Sequence, residues 1–198
     1  MSTEADHEFT TLADILAPRL KVVFVGINPS IYSVEQGHYF ARPTNRFWAA
    51  FSGSRLSVAA RVELGRATLS PDNDRGMRDF GFGFTDIVKM PTASAAELRV
   101  ADFAVGAPQL RSKLERSAPW IACFQGATAL RPFLRHALGE QAGTLEFGMQ
   151  PFHVADTALF LTPNPSPANA TYRLSDLIAW FDALASELDA HSEPGPQR

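Results

Sequence analysis

The sequence predicts an α/β protein: a three-layer α/β/α sandwich around a mostly parallel central sheet. Short apolar, β-branched runs recur at 21–27, 81–88, 120–125 and 158–162. Such runs fit strands buried on both faces. Segments with helical patterning separate them. Alternation of this kind calls for right-handed parallel crossovers, with helices on both faces of the sheet. The length, 198 residues, suits a single domain.

Residues 11–190 are read as that domain, and 1–10 and 191–198 as flexible tails. KVVFVGI (21–27) is the first strand, stopped by Asn28-Pro29. A polar and aromatic loop runs on to Pro43. Thr44 is placed to cap a short helix with Phe47, Trp48 and Phe51 on one side. Residues 56–68 read as helical. GFGFTDIV (81–88) is a second strand leading into a loop, at a central position in the sheet. Residues 94–117 are mostly helical, with a break near Gly106 to Pro108. WIACFQ (120–125) is the third strand, and Gly126 opens a helix to about His136. A hairpin fits 144–155. ALFLT (158–162) is the last strand, followed by PNPSPANA. Residues 172–189 form an amphipathic helix with Leu174, Leu177, Ile178, Phe181, Leu184 and Leu188 on one side.

Composition narrows the chemistry. Cys123 is the single cysteine, which excludes an internal disulfide, a four-cysteine zinc site and an iron–sulfur cluster. It lies in WIACF and reads as a small buried hydrophobe, not a nucleophile. The five histidines are dispersed, so neither a metal nor another cofactor is expected. No apolar run reaches the roughly eighteen residues that cross a bilayer, and the N-terminus is acidic where a signal peptide is basic. A cytoplasmic protein, in a bacterial-type cytosol or nucleoid, is the expectation. The net charge is −3, but the acids concentrate at the ends, and residues 9–186 carry 17 basic and 15 acidic side chains, net +2. That balance fits a small phosphate footprint.

In open α/β sheets ligands bind at the carboxyl ends of the strands. Three predicted strands end in polar chemistry there: Asn28-Pro29-Ser30, Thr85-Asp86 and Asn164-Pro165-Ser166. Proline disfavours a helical backbone at the residue before it, so Asn28 turns out of the strand and projects into the crevice. An isolated Asn-Pro is more often an ordinary turn. The long aromatic loop that follows, with Tyr39 and Phe40, tilts the reading toward function. Phe40 is either a stacking platform for a planar ring or core. The three prolines of LTPNPSPANA stiffen a loop that brings Ser166 near a phosphate or a base, or else make it a rigid linker. The helix after it aims its amino end at the same place.

The order GINP, NRFW, GFGFTD and NPS, over residues 13–188, resembles the mismatch-specific uracil/thymine-DNA glycosylases. The resemblance implies a uracil-DNA glycosylase-like fold and a monofunctional repair enzyme that acts as a monomer on double-stranded DNA containing uracil or a mismatch. On this reading Asn28 orients the attacking water, and Phe40 stacks on the extruded base. Gly26, Ile27, Pro29, Ser33 and Asn164 line the base pocket, with Thr85 near the catalytic water. Ser166 contacts the strand, while Pro167, Ala168 and Asn169 form the wedge entering the duplex. Arg42, Arg46, Lys89 and Arg173 are the expected phosphate contacts. Asp86 either activates water or supports the positive sugar, or else caps the following turn. The sequence departs from the family pattern at Ser30, where glycine is usual, and at the wedge, which lacks the usual Gly-Leu pair. His38 lies on the first loop, as a surface histidine or a DNA contact. Sibling activities on hypoxanthine, ethenocytosine or thymine, and a non-catalytic DNA-binding module, are the competing readings.

Overall fold

Among the described residues five strands position everything else: β1 (Val22–Gly26), β2 (Phe82–Asp86), β3 (Ile121–Gln125), β4 (Gly148–Val154) and β5 (Thr157–Thr162). They form one sheet in the order β2-β1-β3-β5-β4. The pairings β1–β2, β1–β3 and β3–β5 are parallel, and β4 runs antiparallel to β5. The computed structural model describes residues 10–192. Within them six α-helices accompany the sheet: α1 (Ile31–Gln36), α2 (Phe47–Gly53), α3 (Val58–Glu63), α4 (Val100–Ser117), α5 (Ala127–Phe133) and α6 (Leu174–Ser192).

The bodies of β1, β2 and β3 are apolar because these strands are buried on both faces, and polar residues appear only at the ends of β2 and β3. One face carries Phe24, Phe84, Cys123 and Phe160, which share a register and pack against Phe47 and Phe51 of α2 and Phe181 of α6. The other face carries Val23, Val25, Ala122 and Phe124, which pack against Leu110 and Leu114 of α4 and Leu130 and Phe133 of α5. Three layers result. The first layer is dominated by aromatics: the Phe24 ring lies 5.0 Å from Phe47, 5.7 Å from Phe84 and 5.7 Å from Phe181. Each such pair adds about 0.5–1.5 kcal/mol beyond its area burial.

Several elements differ from the sequence reading. The strand ending in Asp86 is not central but outermost. Its free edge is covered by Ile15, which exchanges two backbone hydrogen bonds with Phe84, both at 2.9 Å. The segment after Asn28 is not all loop. Ser30 caps α1, accepting from Ser33 N at 3.1 Å, and Gly37 closes it at φ +73°. Six residues with one buried side chain give no apolar period to read. Thr44 does not cap α2; the Asn45 side chain accepts from Phe47 N instead. The predicted helix 56–68 is short, a 3₁₀ turn followed by α3. Helix α4 runs unbroken through Gly106 and Pro108. Gly106 serves close packing, since a Cβ there would overlap the Ile87 carbonyl. The hairpin is displaced along the chain: β4 pairs with the predicted last strand, β5, around Ala155 at φ +49°. The predicted tails, residues 1–9 and 193–198, lie outside the described residues, while α6 continues to Ser192. Among the described residues no helix is long and apolar enough to cross a membrane.

Candidate active-site crevice

A crevice of about 790 Å³ opens at the carboxyl ends of β1, β2, β3 and β5. The segment from Gly26 to Ser30, with Ser33, Phe40, Asp86, Asn164 and the tip from Ser166 to Asn169, lines it. The three polar strand ends therefore converge, as the topology requires of neighbouring parallel strands.

Asn28 leaves β1 and is held by its amide. Its Nδ2 donates to the Met90 carbonyl at 2.8 Å and to Thr92 Oγ1 at 2.7 Å. Both N–H groups are thereby used. Thr92 is itself oriented, since its hydroxyl donates to the Ser94 carbonyl at 2.9 Å. Among the described residues nothing donates to Asn28 Oδ1, so the carbonyl oxygen is the part of the amide left for a ligand. The sequence reading missed Thr92, because its role arises from a bridge between Ser30 and Thr92 that no local pattern announces.

Phe40 lines the crevice and stacks on Phe47 with ring centroids 4.2 Å apart and planes 15° from parallel. Its backbone sits at φ +53°, the left-handed region, which is unusual for a bulky side chain. Strain of this kind, about 1–3 kcal/mol, persists where the surroundings over-determine it. Here they are dense. Asp74 is fully buried and accepts from Tyr39 N at 2.9 Å, with His38 Nδ1 3.1 Å from its other oxygen. Trp48 Nε1 donates to the Tyr39 carbonyl at 2.9 Å. His38 thus braces the Phe40 turn from within the fold.

Asp86 is 4% exposed and stands beside Gly26 in the β1–β2 register. A Cβ on Gly26 would overlap Asp86 Oδ1, so the glycine makes room for the carboxyl group. Its Oδ2 has no hydrogen-bond partner, and Lys89 Nζ lies 3.8 Å away. Burial pushes the Asp86 carboxyl up to about 7; the charge of Asp14 adds to this, and Lys89 and Lys113 oppose it. Asp86 is the sole carboxyl group, and Arg42 the sole cation, among the described crevice residues.

Four expected placements are corrected. Thr85 does not line the crevice. Successive strand residues face opposite sides, so Thr85 and Asp86 cannot both point into it. Thr85 is fully buried and donates to Asp14 Oδ1 at 2.7 Å. Lys89 is no phosphate contact: its ammonium bonds Asp14 Oδ1 at 2.9 Å and the Tyr39 hydroxyl at 3.0 Å. Lys113 meets the other Asp14 oxygen at 2.7 Å. Burial raises the Asp14 pKa, but the two ammonium groups outweigh it and hold the carboxyl below its usual range.

Arg46 is likewise withdrawn from any phosphate. Its guanidinium donates to the carbonyls of Pro165, Ser166 and Asn169, at 3.3, 2.9 and 2.7 Å, and to that of Tyr172. The arginine of NRFW is thus the clamp of the proline-rich loop. That loop is further closed by Asn164 Oδ1, which accepts from Ser166 N at 2.8 Å, and by Asn169 Nδ2, which donates to Asn164 O at 3.0 Å. Gly126, at φ +104°, allows the approach, since a Cβ would meet Asn164 Cβ at 2.9 Å. Pro167 and Ala168 form an exposed tip, whereas Asn169 is tied inward. Helix α6 starts only at Leu174, so its first turn and the exposed Arg173 lie off the crevice. Arg42 is exposed on the rim.

Cys123 is fully buried, and burial pushes its thiol far up. Gln125, which the sequence reading did not single out, lies on the crevice and is 2% exposed.

The model of the uracil DNA glycosylase superfamily matches residues 13–188. The chain belongs to that superfamily. Among solved structures, the solution NMR structure of a candidate uracil DNA glycosylase from Methanosarcina acetivorans is similar. It shares 18% identity over 88% of this chain and 97% of its own, with a TM-score of 0.50. That likeness bears on the fold alone. Membership of the superfamily supports a DNA glycosylase, a hydrolase of DNA repair acting on DNA.

Proposed function

We propose that the protein hydrolyses the bond between uracil N1 and deoxyribose C1′ in double-stranded DNA. G·U mismatches are the preferred substrate, in the manner of the mismatch-specific uracil/thymine-DNA glycosylases. The carrying observation is the Asn28 carboxamide, whose two N–H groups are engaged and whose oxygen is left over.

In this reading the target base leaves the stack and enters the crevice against Phe40. Extrusion costs a few kcal/mol and is easiest at a mismatch, which itself favours G·U. Phe40 is already stacked on Phe47 on one side, so it presents a fixed plane. A water donates one hydrogen bond to Asn28 Oδ1, which points its lone pair at C1′. A neutral amide is a poor base, so its contribution is orientation. As the water oxygen bonds to C1′, the N1–C1′ bond breaks and its electron pair leaves with the base. In this reading the Ser30 N–H meets charge building on a uracil oxygen, since Pro29 has no N–H and that of Ile31 donates to the Thr92 carbonyl. Ionised Asp86 stabilises the positive sugar and takes the proton released by the water. The product is an abasic site and free uracil.

The test is to incubate the protein with duplexes holding G·U, A·U, G·T, hypoxanthine or ethenocytosine, and with single-stranded uracil, then cleave abasic sites with alkali. Fastest strand cleavage from G·U is expected. Cleavage restricted to another lesion would move the assignment to a sibling activity. DNA binding with no abasic product from any strand would remove catalysis altogether.

A further inference from the structure

Among the described residues two buried side-chain polar atoms have no hydrogen-bond partner: Asp86 Oδ2 and Gln125 Oε1. Both residues line the same crevice. An unpaired buried acceptor loses its bonds to water without replacement, so each such group calls for an explanation. Asp86 already has one in the proposed reaction. Gln125 has none.

The sheet register locates Gln125. Gly26 pairs with Asp86, Val25 with Phe124 and Gln125 with Thr162. Asp86, Gly26, Gln125 and Thr162 therefore form one row across four adjacent strands. The row lies on the face of Phe24, Phe84, Cys123 and Phe160, two residues earlier in each strand. That is also the face on which Phe40 packs against the core. Neighbouring strands stand about 4.8 Å apart, so Asp86 and Gln125 flank the bare Gly26 with roughly 10 Å between their backbones. The Asp86 carboxyl leans over Gly26, and both it and Gln125 line the crevice that a base would enter.

The amide orientation of Gln125 follows from its neighbour. Nε2 faces the Cys123 carbonyl at 3.4 Å and Cys123 Sγ at 3.3 Å. A carbonyl only accepts, so the nitrogen must face it, and Oε1 is the end without a partner. Thr162, the other polar neighbour in the row, donates to the Phe124 carbonyl at 3.3 Å and so does not supply one.

We infer that Gln125 is a specificity-determining residue whose Oε1 accepts a ring N–H of the extruded base. The inference rests on the glycosylase reading and adds the group that inspects the base edge. Deamination converts the cytosine N3 or adenine N1 lone pair into an N–H. A fixed acceptor pairs with the N–H and repels the lone pair. A site built to hydrogen-bond a substrate N–H rejects an analogue lacking it far more strongly than an apolar pocket does.

The experiment measures single-turnover excision of uracil and of 3-methyluracil, each opposite guanine, by the parent protein and by Gln125→Leu and Gln125→Met. The two bases leave through the same atom and differ at the N–H. The ratio of the two rates does not depend on the fraction of folded enzyme, so a poorly folding variant still reports. We expect the parent to favour uracil and both variants to narrow that preference by roughly tenfold or more. An unchanged ratio in both variants would show that the methyl group is excluded by bulk alone and would overturn the role of Gln125. If the parent forms no abasic site from uracil or any other base, it is the glycosylase reading that falls.

Discussion

Thr92 Oγ1 accepts from the Asn28 amide at 2.7 Å, and this bond joins the end of β1 to the segment that follows β2. With Met90 O it fixes which end of the amide is available. Replacing Asn28 by alanine removes the oxygen proposed to orient the water. Single-turnover excision is expected to fall by about a hundredfold or more, since misplacement of about 1 Å already costs that much. Uracil release by Asn28→Ala at the parental rate would sink the mechanism.

Thr92→Val tests the support instead of the group. One neutral hydrogen bond is worth about 1 kcal/mol, or about a fivefold rate effect. The rate is expected to fall by that order while the Kd for uncleaved duplex is unchanged. A change in Kd with an unchanged rate would place Thr92 in DNA contact.

Asp86 and Asp14 predict opposite pH dependences of stability. The folded-state pKa of Asp86 is raised from 3.8 to about 7, so between these values the folded state holds the extra proton. The Asp86 contribution is therefore fully present below about pH 4 and is lost as pH rises through about 7. Asp14 is lowered, so its contribution is present above the usual carboxylate range and is lost as pH falls below it. Thermal melts of Asp86→Asn are expected to lack most of the parental decline between about pH 4 and pH 7. An identical decline in both proteins would remove Asp86 as its source.

Gly26→Ala sets a Cβ against Asp86 Oδ1. Overpacking of a dense site costs about 1–3 kcal/mol, so Tm is expected to fall. Because the clash is with one side chain, Gly26→Ala combined with Asp86→Ala is expected to lose less than the sum of the two single changes. Strict additivity in a thermal double-mutant cycle would disprove this contact.

Two arginines separate loop support from DNA contact. Arg42 stands exposed on the rim, and Arg42→Ala is expected to weaken DNA binding and reduce the salt slope by roughly one. Arg46 spends its donors on four loop carbonyls, so Arg46→Ala is expected to lower excision and Tm with the salt slope unchanged. A reduced slope for Arg46→Ala would restore it as a phosphate contact.

Much of this arrangement was legible in the sequence. The four parallel strands announce themselves because residues buried on both faces must be apolar, and their polar ends then fall at one edge. That reasoning brings Asn28 and Asn164 to the crevice, and Phe40 stands out from the aromatic loop after Asn28-Pro29. The errors share a cause. Thr85 and Asp86 are adjacent in sequence, yet the pleat sends one into the crevice and the other to Asp14. Lys89 and Arg46 look like solvated cations in sequence, but partners 75 residues (Asp14) and more than 115 residues (the loop) away bury their charge or donors. The order of strands in the sheet, which puts β2 outside, is not encoded in any local period. Gln125 reads as the polar end of an apolar run until the register sets it beside Gly26.

The pairing of Ile15 with Phe84 has a practical consequence. It seals the margin of the sheet, and the same short stretch delivers Asp14 to Lys89 and Lys113. A version of the protein trimmed to begin after Leu16 would bare a hydrogen-bonding strand to neighbouring molecules and release the ammonium groups of Lys89, which stands 3.8 Å from Asp86, and Lys113. Shortening the front of the chain to aid crystallisation is therefore expected to produce self-association and an altered crevice together.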